Sequence, residues 1–292
     1  MSREVPLTTA EHDFIVEALK RNVRLDGRGI DELRPLNISF GDEYGHVKVQ
    51  LGHTSLIVLM SAEVVKPHSD RPFDGIFTVS LELTNMGSPA WENGRQSDLE
   101  QNVTRTLDRV IRHSNALDTE TLCIMKGQSC WGIRADVHVT NYDGNLIDCA
   151  CIGIMTGLQH FRCPDAVVKD GKVSVYSIDE RVPIPLNLTH RPLTITFHTF
   201  HDGELILMDA SRKEELAAEG DMVIALNDAG QVCAVYKTVG RPVGAVDVMR
   251  KTSIALQKVQ EIKNTIQKAL DDDQSKRTRR NVGVEANSAN DR

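Results

Sequence analysis

Long hydrophobic runs, export signals and dense cysteine patterns are all missing from this sequence. No stretch of about 18 uninterrupted apolar residues occurs, so we expect no transmembrane helix and no membrane partner. Residues 1–20 include four acidic residues and no continuous apolar core, which is unlike a signal peptide. Six cysteines in 292 residues do not make a disulfide scaffold, and without an export signal we expect reduced thiols.

The chain also lacks an excess of positive charge and the common cofactor motifs. A net charge of −7 argues against an overall basic surface for nucleic acid, although a local basic stripe remains compatible with it. No glycine-rich dinucleotide motif and no P-loop is present. The cysteines show no zinc-type spacing. We therefore expect no cofactor and no metal ion.

The chain contains, twice along its length, segments in which apolar residues alternate with period two and then segments in which they recur with helical periodicity. Apolar residues alternate in segments 36–40, 47–51, 77–83 and 133–139, which predicts strands. The run from Leu56 to Val65 is almost wholly apolar and predicts a strand buried on both faces. Five further short strands are predicted between residues 173 and 237. Mixed sheets covered by helices follow, an α+β fold.

Four helices complete the pattern. Thr8 and Glu11 have the spacing of a capping box before a helix over residues 9–21. A second helix begins after Ser97, a third, nearly free of charge, covers residues 147–161, and a long one covers 243–270. Residues 271–292 lack aromatic side chains and carry a basic cluster, so we expect a disordered tail.

Two charged groups are candidate functional residues. Arg105, Arg109 and Arg112 share one face of the second helix, and Arg95 lies in the preceding loop; guanidinium groups in a row suit a phosphodiester backbone. A solvated helix face is the alternative. Asp209 and the acidic residues that follow it up to Asp221 could hold Mg²⁺, or could form a solvated acidic loop.

A set of short motifs, in a fixed order over residues 5–270, resembles RNase PH-like proteins in the form found in eukaryotic RNA exosome rings. The motifs are Arg24-Leu25-Asp26-Gly27-Arg28, Gly52-His53-Thr54, Ser88-Pro89-Ala90-Trp91-Glu92, Leu107-Asp108-Arg109-x-x-Arg112, Trp131-x-Ile133-Arg134-x-Asp136 and Asp143-Gly144-Asn145. The resemblance is to the catalytically silent half of the ring, of the polymyositis/scleroderma autoantigen type. It implies an RNase PH-like fold with two similar β-α-β-α halves.

The resemblance also implies a domain division and partners. An N-terminal helical segment would cover residues 1–23, the first half 24–165, the second half 166–270 and the tail 271–292. Partners would be RNase PH-like subunits in a hexameric ring built from heterodimers, the cap proteins on it, an associated 3'–5' nuclease and single-stranded RNA. The expected role is scaffolding and RNA guidance during rRNA, snRNA and mRNA processing and decay, in nucleus, nucleolus and cytoplasm.

The same resemblance implies that this copy is not an enzyme. Active members hold phosphate on a Gly-Gly-Thr-Arg type segment, and Asn145, Leu146 and Ile147 stand there in this chain. Asp209 and Glu215 fall on the positions of two catalytic aspartates. Arg105 and Arg109 match two arginines that hold RNA in archaeal relatives. The alternative is an active phosphate-dependent 3'–5' exoribonuclease.

Overall fold

The first half of the chain is a sheet with helices on one side. A computed structural model describes residues 6–91, 97–169, 172–176 and 180–290. The capping box of Thr8 and Glu11 is present at the start of the first helix. Helix α1 Thr9–Lys20 packs against the second half, where Ile15 and Leu19 share a buried cluster with Phe200 and Leu207. The elements of the first half are β1 Leu36–Phe40, β2 His46–Leu51, β3 Thr54–Val65, β4 Ile76–Leu83, α2 Asp98–Arg112, β5 Cys123–Met125, β6 Ser129–Asn141 and α3 Leu146–His160.

Strand order in the first sheet is β1-β2-β3-β6-β4, with β5 paired to β6. All neighbours are antiparallel except β4 and β6, which run parallel. The prediction that β3 is buried on both faces is wrong: Leu56 and Val58 are fully buried, but Leu59 is 40% exposed. An antiparallel sheet needs cover on only one face, and the alternation in β3 is masked by apolar residues on its outer side.

Helix α3 lies between the two halves and is buried nearly all round. On one side it packs on β3, where Gly153 and Gly157 come so close to Leu56, Val58 and Met60 that a Cβ on either glycine would crowd them. On the other side it contacts β11 Leu193–Phe200 of the second half. A helix enclosed by two sheets has no solvent face, which is why its sequence is almost free of charge.

The second half has a four-stranded sheet and a long last helix. The strands β12 Leu205–Met208, β11, β13 Gly220–Leu226 and β14 Val232–Lys237 neighbour one another in that order, and the helix is α5 Ala245–Asn290. Every residue of β11 is buried, because α3 covers one face and α5 the other. The remaining elements are β7 Arg162–Cys163, β8 Ala166–Lys169, β9 Lys172–Val175, β10 Ile184–Pro185 and α4 Arg212–Ala217. Short 3₁₀ helices cover Glu120–Leu122 and His201–Gly203.

The last helix does not end near residue 270. It continues to Asn290, so the predicted disordered tail is wrong for residues 271–278, whose side chains are described. Arg277 donates to the carbonyl oxygens of Gly41 (2.5 Å) and Asp42 (2.6 Å) and lies over the ring of Tyr44. One arginine of the basic cluster is thus a structural contact. In the described part of the chain, no helix combines the length and apolarity needed to cross a membrane.

His160 connects this extension to the first sheet. Its Nδ1 accepts a hydrogen bond from the Gly45 N–H at 3.0 Å, and its Nε2 lies 3.2 Å from a carboxylate oxygen of Asp273. Burial lowers the pKa of His160 to about 4, and the positive charge of Arg277 acts in the same direction. The folded protein therefore holds a neutral imidazole that the unfolded chain protonates near pH 6.5.

This pKa predicts acid sensitivity. The contribution of His160 to the free energy of unfolding is fully present above pH 6.5. It falls by roughly 3 kcal/mol as the pH drops toward about 4. His160→Asn keeps an acceptor for Gly45 without a titrating ring. The decrease in unfolding free energy between pH 6.5 and pH 4 should therefore be roughly 3 kcal/mol smaller in the variant than in the parent. Urea unfolding at several pH values measures it. His113→Asn, at an exposed histidine, should leave the slope unchanged; equal slopes for parent and His160→Asn would contradict the assignment.

Candidate functional site

The predicted arginine stripe lies on the exposed face of α2. Helix α2 begins after Ser97, whose side chain accepts from the N–H of Glu100, and it buries Val103, Leu107 and Ile111. Arg105 and Arg109 are exposed one turn apart on the opposite side. The guanidinium of Arg109 lies 5.9 Å from the ring centre of Tyr236 on β14. The two side chains are therefore arranged along one line on the surface.

The other two predicted arginines, Arg112 and Arg95, differ from this pair. Arg112 forms an ion pair with Asp108 at 3.3 Å, so part of its charge is already compensated within α2. Arg95 lies outside the described residues. Arg105 and Arg109 are the members of the stripe for which the structure supplies no carboxylate partner among the described residues.

A second candidate site forms where a turn of the first half meets β12 and α4 of the second. The turn Asp143-Gly144-Asn145 follows β6, and Gly144 has φ +81°. A Cβ on Gly144 would lie 2.6 Å from the carbonyl oxygen of Ala210, so only glycine allows the two backbones to approach this closely. The carbonyl oxygen of Gly144 accepts from Arg34 and Thr54.

Asp209 is the centre of this contact. Its carboxylate is completely buried and accepts from Arg34 (Nη2 at 2.8 Å, backbone N at 2.7 Å), from Arg28 Nη1 at 2.8 Å and from Asn145 Nδ2 at 2.7 Å. Burial opposes ionisation, but the hydrogen bonds and charge of Arg34 outweigh it and hold the pKa of Asp209 below its usual range. The residue is a buried, ionised tie between loop, turn and strand.

Next to it, a second buried ion pair fixes α4. Arg24 donates to both carboxylate oxygens of Glu214, at 3.1 and 2.7 Å, and also to the carbonyl oxygens of Met208 and Asp209. Both side chains are almost completely buried. The interpretation as a solvated loop is therefore wrong for Asp209 and Glu214, which are interior groups paired with arginines 175 to 190 residues earlier, whereas Glu219 is exposed.

Glu215, one residue on, faces the turn instead. Its Oε1 accepts from the backbone N–H of Asn145 and its Oε2 from the hydroxyl of Tyr142, both at 2.6 Å. Asn145 is the N-cap of α3 and has φ 52°, in the left-handed region. The carboxylate therefore satisfies the backbone donor immediately before α3, at the helix end that favours negative charge.

The positions predicted to be a degenerate phosphate loop open onto a cavity of about 540 Å³. Leu146 is buried and Ile147 half-buried, and both contribute aliphatic surface to its wall. The cavity is also lined by Trp91, Leu99, His198 and Arg212. No cluster of three or more His, Cys, Asp or Glu side chains suited to a metal ion occurs among the described residues.

Asp148 is a structural residue that the sequence analysis did not single out. This carboxyl is buried on α3 and accepts from the backbone N–H and the hydroxyl of Thr196 on β11, both at 2.8 Å. Burial raises the pKa of Asp148 to about 6, although the bonds from Thr196 act in the opposite direction. A lone charge in an apolar helix was the available signal, and its partner could be found only with the strand pairing known.

The raised pKa of Asp148 predicts a contribution to the unfolding free energy whose pH dependence is opposite to that of His160. Its folded pKa lies above the unfolded value near 3.9, so its contribution is present at low pH and is lost as pH rises from about 4 through about 6, by roughly 3 kcal/mol. Asp148→Asn retains an acceptor and cannot ionise. The difference in unfolding free energy, variant minus parent, should therefore increase by about that amount between pH 4 and pH 7.5. A difference independent of pH would show that Asp148 titrates normally.

Comparison with known proteins places these features in a family. The models for domain 1 and domain 2 of the 3' exoribonuclease family (RNase PH) match residues 32–164 and 190–251. The exosome complex component rrp45 of Schizosaccharomyces pombe is 42% identical over 286 residues, 98% of both chains. RRP45 of Saccharomyces cerevisiae is 36% identical over 96% of both chains, and human RRP45 is 40% identical over 94% of this chain but 63% of its own length.

Solved structures agree in fold. An Archaeoglobus fulgidus exosome chain, from a structure with RNA bound to the active site, is 25% identical and covers 88% of this chain and 97% of its own, with a TM-score of 0.76. A chain of an archaeal exosome core reaches a TM-score of 0.73 at 23% identity, covering 88% of this chain and 96% of its own. The two-halved α+β fold is therefore the RNase PH-like fold. The chain belongs to the 3' exoribonuclease (RNase PH) family and, within it, to the RRP45 group of exosome complex components.

Proposed function

We propose that the protein is a non-catalytic ring subunit of the RNA exosome core, which scaffolds the ring and guides single-stranded RNA through its channel. Its relatives named as exosome complex components support the assembly, and the archaeal chain comes from a structure with RNA bound. The partners would be RNase PH-like ring subunits, cap proteins, a 3'–5' nuclease and RNA. Its places of action would be nucleus, nucleolus and cytoplasm, as the family resemblance implies.

The side chains at the start of α3 are the main support for a non-catalytic role. Attack by inorganic phosphate on RNA needs donors and positive charge to hold the nucleophile. Leu146 and Ile147 offer only aliphatic side chains there, and the N–H of Asn145 already donates to Glu215. A carboxylate at this position also repels a phosphate anion. Both features oppose a phosphate site at this helix end.

The two carboxylates support the same conclusion. Asp209 accepts from two arginines and Asn145, and a Mg²⁺ ion would have to displace those donors. Glu215 is held by Asn145 and Tyr142. Each carboxylate thus has a structural partner in place of a metal ion.

We expect that Glu215→Asp does not create activity. A carboxylate one methylene shorter cannot place phosphate, and positioning contributes up to about 7–11 kcal/mol in well-oriented reactions. The purified parent and this variant should release no nucleoside diphosphate from an adenylate oligomer with inorganic phosphate and Mg²⁺.

The triple variant Leu146→Thr, Ile147→Arg, Glu215→Asp is the matched comparison, because it restores the donor and charge as well. Activity only in the triple variant would identify the phosphate segment as the missing part. Phosphate-dependent release by the parent would support the alternative, an active exoribonuclease. Release by Glu215→Asp alone would refute the argument from the phosphate segment.

We also propose that Arg105 and Arg109 contact RNA phosphates without reading bases. Replacing both by Gln in a ring assembled with RNase PH-like partners should weaken single-stranded RNA binding equally for different sequences. The slope of log affinity against log salt should fall by about 0.7 for each lost contact. Arg21→Gln, at the exposed C-terminal cap of α1, is the control and should leave the slope unchanged. A salt slope in the double variant equal to that of the parent would show that Arg105 and Arg109 make no phosphate contacts.

A further inference from the structure

Two cysteines stand opposite each other in the first sheet. Cys123 on β5 and Cys130 on β6 are register partners in an antiparallel pair, and both are free thiols. Directly opposite residues of such a pair project on the same face, with Cα atoms about 4.5–5.5 Å apart. Disulfides form at Cα separations of about 4.4–6.8 Å. The register shifts between Cys123 and Met125, so Ile124 is an extra residue in β5.

We propose that Cys123 and Cys130 are a reversible disulfide site that closes the β5–β6 hairpin when the protein meets a disulfide oxidant. This function is independent of the proposed role in the exosome. The bulge at Ile124 supplies local backbone freedom for the small adjustment that an S–S bond requires, because a bulged residue is not held by the regular ladder.

The remaining cysteines are less suited to pairing. Cys149 and Cys151 lie two positions apart on α3, where side chains point in different directions, and both are completely buried. Cys163 is also buried. Cys233, on the edge strand β14, is half-exposed and has no cysteine opposite it in its register with β13. It therefore serves as a reference for simple accessibility.

The exposure of the pair gives the two thiols different roles. Cys123 is half-exposed, whereas Cys130 is completely buried. Burial raises the pKa of Cys130, and Cys123 nearby adds to that effect, so Cys130 is the slower nucleophile. Cys123 should therefore react first with an external oxidant, and Cys130 second.

The reaction balances with oxidised glutathione. The Cys123 thiolate attacks one sulfur, the glutathione S–S bond breaks, and one glutathione leaves as a thiolate. Cys130 loses its proton and attacks the Cys123 sulfur of the mixed disulfide, and the second glutathione leaves. The protein loses two protons and two electrons, and one oxidised glutathione becomes two reduced molecules.

The disulfide would stiffen a segment that several other contacts hold in place. In the hairpin loop, the Gly127 N–H donates to Pro72 and Lys126 lies over the ring of Phe73. Just before β5, Thr119 accepts from the Gly75 N–H and Asp118 pairs with Asn187. We expect oxidation to slow amide hydrogen exchange at residues 123–130.

The test treats the folded full-length chain with oxidised glutathione, blocks the remaining thiols and maps the peptides by mass spectrometry. The expected product is a Cys123–Cys130 cross-link that lacks two hydrogen atoms and is reversed by dithiothreitol. Cys130→Ser should stop at a stable glutathione adduct on Cys123, and Cys123→Ser should give no cross-link. Cys233→Ser, the matched control, should cross-link like the parent. A parent that stops at the mixed disulfide, does not react, or cross-links other cysteines overturns the proposal.

Discussion

The buried ion network around Asp209 joins the segment before the first sheet to the turn at Gly144 and to the second half. An ionised carboxylate in the interior is stable only with strong partners, and Arg34 and Arg28 supply them from the segment before the first sheet. Through Arg34 the same network holds the carbonyl oxygens of Asp143 and Gly144, which set the start of α3. Removing one member of such a network leaves uncompensated charge and costs about 3–5 kcal/mol. Asp209 is therefore an electrostatic centre of the contact between the halves.

The geometry of the candidate site follows from that centre. The turn at Gly144 lies against Ala210, the Asn145 backbone is left-handed, and the Asn145 N–H donates to Glu215. Helix α3 then continues as the shared core of both sheets, so its first residues face either packed interior or the cavity wall. The buried contacts at the start of α3 thus place the aliphatic side chains of Leu146 and Ile147 at the cavity wall.

The pattern of elements could be predicted because most of it is local: the capping box at Thr8, the alternation in β1, β2 and β4, and the uncharged run of α3 each identify their element. The outer face of β3 was missed because apolar residues lie there too, and exposure of a sheet face depends on what packs against it. The residues Asp209 and Glu215 could be singled out, but not their partners, since Arg34 lies 175 positions away. The helix beyond residue 270 was missed because Asp273 and Arg277 are stabilised by the first sheet, not by local apolar periodicity.

Asp209 ties the two halves together, and we propose that its arginine partners leave no place for a metal ion. The direct test is the unfolding free energy of the parent and of Asp209→Asn, each with and without Mg²⁺. The variant should lose about 3 kcal/mol or more in both conditions, and Mg²⁺ should leave the unfolding free energy of the parent unchanged. A Mg²⁺ site with Kd a hundredfold below the ion concentration would instead add about 2.7 kcal/mol to the parent. Such a gain, absent from Asp209→Asn, would show that Asp209 binds Mg²⁺.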